Sequence, residues 1–105
     1  MVVVIEGMND LKKRLEDAGD ALVVIDFFAT WCGPCKIIAP QFEELSKKHS
    51  SVIFLKVDVD ENDEISATYE VSSMPTFVFI KKGEVVHQFA GASANKLIEA
   101  IEKYQ

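Results

Sequence analysis

Residues 22–35 read Leu22-Val23-Val24-Ile25-Asp26-Phe27-Phe28-Ala29-Thr30-Trp31-Cys32-Gly33-Pro34-Cys35. From Leu22 to Ala29 every position but Asp26 is apolar, the pattern of a strand covered on both faces. A helix pattern follows, with Ile38, Phe42 and Leu45 on one face. Pro34 fits its opening position, where a missing N–H costs nothing. A strand turning into a helix puts Cys32 in the loop between them, reachable and facing the unpaired N–H groups and positive end of the helix dipole. That field favours thiolate over thiol, so Cys32 is the expected nucleophile in disulfide exchange and Cys35, one turn later, the expected resolving thiol.

Two other uses of a cysteine pair compete with redox chemistry. Structural zinc needs four ligands, and no second pair exists: His49 and His87 stand alone, so no metal site is expected. A structural staple gains with the length of the loop it closes, and this loop holds only Gly33 and Pro34. Redox chemistry is the reading these residues favour over a staple or a metal half-site.

Outward from this stretch, 105 residues make one domain, 1–105, with a single core. A net charge of -6 leaves no basic stripe for a phosphate backbone, so nucleic acid is not an expected partner. Val2 to Ile5 is too short for a signal peptide and lacks a basic flank, and no later stretch is long enough to span a bilayer; a cytoplasmic, membrane-free protein is expected. The absence of further cysteines agrees, because a lone pair in a reducing compartment is more often catalytic.

Val2 to Ile5 reads as a short strand. Met8, Leu11, Leu15 and Ala18 recur at helical spacing and stop at Gly19. Val52 to Val59 is a second buried strand, parallel to the first through a right-handed crossover, and a shorter helix runs through Ile65 and Tyr69. Pro40 falls inside the second helix and is expected to kink it. Thr76 to Lys81 and Glu84 to Ala90, separated by Lys82-Gly83, form an antiparallel hairpin. Ser93 is placed to cap a last helix bearing Leu97, Ile98, Ile101 and Tyr104. The sum is an α/β fold, a mixed sheet of about five strands flanked by four helices, with the cysteines at the C-terminal end of a central strand.

Trp31-Cys32-Gly33-Pro34-Cys35, Asp26 in the preceding strand, Met74-Pro75-Thr76 before the hairpin and Gly91 after it occur in one order along the chain. Together they resemble the thioredoxin family over essentially its whole length. The Gly33-Pro34 dipeptide is similar to that of the reducing members, which implies a reductant of protein disulfides rather than an oxidase. The resemblance further implies a cis proline at Pro75 beside the cysteines, with the backbone before it pairing with an extended substrate segment. It also implies a docking surface from Trp31, Met74, Gly91 and Ala92, bordered by Asp60, and re-reduction by a thioredoxin reductase, an NADPH-dependent flavoprotein. No bound cofactor and a monomer are expected. Some animal members carry additional cysteines after the active site; Asn62, Tyr69 and Ser73 stand in that region here.

Asp26 is an odd residue for this strand. A solvent-facing carboxylate fits the strand alone, but beside a dithiol a buried one that exchanges a proton with Cys35 is preferred, its pKa raised by desolvation. Lys56 in the neighbouring strand either faces Asp26 as a modulator or snorkels to the surface. Trp31 can serve a core as well as a docking surface, and Gly91 a strand-end bend. The acidic residues from Asp58 to Glu64 are expected to favour the N-terminus of the third helix. His49 and His87 receive no role. A non-catalytic binding protein would show a lost catalytic residue, and an oxidase or isomerase a signal sequence and another dipeptide; neither sign is present.

Overall fold

In the computed structural model, which describes every residue from Met1 to Gln105, the apolar runs become strands and the amphipathic ones helices. In chain order these are β1 (Val2–Val4), α1 (Met8–Ala18), β2 (Val23–Phe28), α2 (Gly33–Lys48), β3 (Ile53–Asp58), α3 (Asp63–Thr68), β4 (Thr76–Lys81), β5 (Glu84–Ala90) and α4 (Ala94–Tyr104). The strands form one sheet in the order β1-β3-β2-β4-β5. β3 lies parallel to both β1 and β2, as an intervening helix requires, whereas β4 is antiparallel to β2 and β5.

Alternation along β2 sends Val24 and Asp26 to one face and Val23, Ile25 and Phe27 to the other. On the first face Val24, Phe54, Phe77 and Phe79 pack under Ile38, Phe42 and Leu45 of α2 and Leu97, Ala100 and Ile101 of α4. On the second, Ile25, Phe27, Leu55 and Val78 pack against Leu11 of α1 and Ile65 of α3. With both faces covered, β2 is central, and its C-terminal end opens onto the turn into α2.

Local chemistry explains the boundaries. Ser93 caps α4, its side chain accepting from Lys96 N at 3.2 Å. Lys82 (φ +53°) and Gly83 (φ +80°) make the turn of the β4–β5 hairpin, the pair of positive φ values that suits twisted strands. α2 begins at Gly33, one residue before the expected Pro34, and runs through Pro40 without a break. Tyr69, expected within the third helix, is the residue that ends it.

Candidate active site

Cys32 is the N-cap of α2, with extended backbone (φ −85°, ψ +113°) and a side chain that accepts from Cys35 N at 3.2 Å. The two residues form a disulfide across Cα atoms 5.3 Å apart, within the range such bonds occupy. The same N–H and the positive end of α2 face Cys32 Sγ, a setting that favours negative charge on sulfur. One expectation is corrected: Cys32 is not a freely reachable loop residue. It is 5 % exposed against 4 % for Cys35, because Ala29 beneath and Phe28, Val59 and Met74 around it pack against the pair. Its Sγ lies 3.7 Å from the Met74 carbonyl oxygen. An oxidised sulfur has no proton to donate, so this is a contact here, and a hydrogen bond only for a thiol.

Asp26 is fully buried, and neither carboxylate oxygen has a hydrogen-bond partner. It shares a face of β2 with Val24, which lies under Ile38 and Phe42, and with Phe28, which packs on the cysteine pair. It therefore sits beneath the start of α2. Burial pushes its pKa up to about 6, with the Lys56 ammonium pulling it partly back. Lys56 is its register neighbour in β3. The lysine is half-buried, with Nζ 4.5 Å from the centre of the Phe28 ring. Lys56 thus stands beside Asp26 without an ion pair, its ammonium over an aromatic ring. Near neutral pH such a carboxyl can both hold and accept a proton.

Around the cysteines the surface is mixed. Trp31 is 67 % exposed, and its Nε1–H donates to the exposed Asp60 Oδ2 at 2.9 Å. Gly33, Pro34 and Ala92 are exposed and Met74 half-buried. The Met74-Pro75 bond is cis, and the buried Pro75 accepts from Gly91 N at 2.8 Å through its carbonyl. Gly91 has φ +108° with open space where a Cβ would stand, so conformation rather than room demands glycine there. Three chain-distant segments thus meet at the cysteine loop.

Val59 and Phe28 as walls of the cysteine pair were missed by sequence reasoning, since apolar residues at strand ends read as ordinary core. Ile37 lies off the buried face of α2 and is 72 % exposed, as its place in the helical period allows. The histidines lie elsewhere: His49 Nδ1 is 3.2 Å from Gln105 Oε1, and His87 stacks on Tyr104.

A family model described as Thioredoxin matches residues 2–103. Thioredoxin-T of Drosophila melanogaster is 52 % identical over 99 % of this chain and 67 % of its own length, and thioredoxin of Homo sapiens is 52 % identical over 98 % of each chain. The solved X-ray structure of Fasciola hepatica thioredoxin is similar at a TM-score of 0.97 and 48 % identity, covering 98 % of this chain and 99 % of that one.

Proposed function

The chain belongs to the thioredoxin family and is a thiol-disulfide oxidoreductase that reduces protein disulfides; from that premise we propose that Cys32 attacks, Cys35 resolves and Asp26 takes up the Cys35 proton in the resolving step. The observation that carries this assignment is the placement of Cys32 Sγ at the N-cap of α2, accepting the Cys35 N–H, with a partnerless carboxyl buried below.

In the first step the Cys32 thiolate attacks one sulfur of the target disulfide. The target S–S bond breaks, a Cys32–target bond forms, and the other target cysteine leaves as a thiolate that takes a proton from water. In the second, the Cys35 thiol passes its proton to the Asp26 carboxylate and the resulting thiolate attacks Cys32 Sγ. The mixed disulfide breaks and the second target sulfur leaves as a thiolate that is protonated from water, while Asp26 returns its proton to water; the target departs with both cysteines reduced, and this chain holds the Cys32–Cys35 disulfide. Gly33 and Pro34 keep the two sulfurs within one turn. Lys56 modulates the proton step by favouring the charged form of Asp26.

Trp31, Met74, Pro75, Asp60, Gly91 and Ala92 form the docking rim, with the backbone at Met74 offered to an extended target segment. Members of the family act on disulfide-containing substrates and draw on a reductase partner. Here that partner is read as an NADPH-dependent flavoprotein passing electrons to a cytoplasmic monomer. The chain itself is read as binding no cofactor, because the two thiols carry both electrons. Mixing the chain with NADPH, such a reductase and insulin tests this. NADPH consumption coupled to insulin reduction should require all three proteins, and insulin reduction no faster than with the reductase alone contradicts the reading.

A further inference from the structure

Asn62 occupies the N-cap position of α3 yet makes no capping hydrogen bond. An asparagine there ordinarily accepts from an N–H of the first helical turn. This one is 7 % exposed and commits both ends of its amide elsewhere. Its Oδ1 accepts from Gly7 N at 2.9 Å, 55 residues away, where the chain enters α1. Its Nδ2 donates to the Asp58 carbonyl at 3.0 Å. The two partners fix the amide orientation, since one offers only a proton and the other only a lone pair.

From Asp58 the bonds continue toward the cysteines. Asp58 Oδ1 accepts from Asp60 N at 3.0 Å, and Asp60 Oδ2 accepts from the Trp31 indole at 2.9 Å. Between them Val59 donates its N–H to the Phe28 carbonyl at 2.9 Å and packs on the cysteine pair. The same segment carries Asp58, Asp60, Glu61, Asp63 and Glu64, a run of like charges that repel one another. A buried clamp at Asn62 opposes that spreading.

We propose that Asn62 is a positioning residue for protein-disulfide reduction: tying segment 58–62 to the start of α1, it sets Asp60, and through Asp60 the orientation in which the Trp31 indole meets a bound protein. This rests on the reading of Trp31 and Asp60 as docking rim. A small disulfide needs only Cys32 Sγ, so it depends less on the clamp.

Trp31 is the only tryptophan, so iodide quenching of fluorescence reads its surroundings alone. Asn62→Ala should raise KM for insulin about fivefold, the scale of one lost hydrogen bond, while kcat changes less. A small aryl disulfide should be affected less than insulin, and quenching should increase. Asp60→Ala should act in the same direction, with the double variant no worse than the more severe single one, because both cut one path. Asp58→Ala cuts the middle link from a half-buried position and decides the matter if Asn62→Ala does not fold. Equal losses on both substrates, or unchanged quenching and KM in Asn62→Ala or Asp58→Ala while Asp60→Ala responds, would overturn the positioning role and leave the docking rim standing. Unchanged insulin KM in Asp60→Ala and Trp31→Ala would instead remove the rim, and the proposal with it.

Discussion

At Asp26 two carboxylate oxygens are buried without a donor, which costs stability whenever the group is charged. Its folded pKa of about 6 lies above the ordinary aspartate value of 3.8, so the folded chain holds the proton over a range where the unfolded chain has released it. Stability therefore falls as pH rises through that window and is constant above it. The penalty at neutral pH is about 3 kcal/mol, from about 1.4 kcal/mol per pKa unit. Asp26→Asn should remove most of it: the oxidised variant should show a higher urea midpoint than wild type at about pH 7.5, with the gain fading by about pH 4. Resolution of the mixed disulfide should slow in the same variant, as Cys35 loses its proton partner. An unchanged urea midpoint together with an unchanged resolution rate would contradict a buried, proton-exchanging carboxyl. That Asp26 is unusual was legible from one charge in an apolar run. That nothing bonds to it was not, because partners come from strands and helices distant in sequence.

Among the elements, those governed by near neighbours were the most legible. Ser93, Gly19 and the Lys82-Gly83 turn stand where their chemistry predicts. Ser93→Ala removes an acceptor from the first turn of α4 and should cost about 1 kcal/mol, read as a lower urea midpoint. Lys82 adopts φ +53°, a region that disfavours a lysine by about 1 kcal/mol relative to glycine. Lys82→Asn should consequently raise the midpoint, since asparagine tolerates that region and Asn-Gly suits the turn. A lowered midpoint would contradict a hairpin turn with positive φ at both residues. The start of α2 was misread by one residue because Pro34 is acceptable at either of the first helical positions, where neither N–H has an intrahelical partner. Pro40 does not end the helix: the carbonyl left without a donor belongs to the exposed Lys36, which water can serve, and α2 keeps its buried face through Ile38, Phe42 and Leu45.

Across the molecule, the strand order β1-β3-β2-β4-β5 places the end of β3 and the start of β4 on either side of the end of β2. That is why Val59 and Met74 close over a cysteine pair carried by neither segment. Local pattern identified the strands and the reactive pair, but not which loops would wall it in, so the burial of Cys32 and the clamp at Asn62 were not readable. The measurement closest to the central claim uses the intact chain: mix reduced Cys32→Ser and Cys35→Ser variants with oxidised insulin and weigh the products by mass spectrometry. Cys35→Ser should accumulate a covalent adduct through Cys32, since attack proceeds and resolution is absent, while Cys32→Ser should accumulate little or none. Equal adduct in both variants, or adduct mainly through Cys35, would contradict the assignment of attacker and resolver.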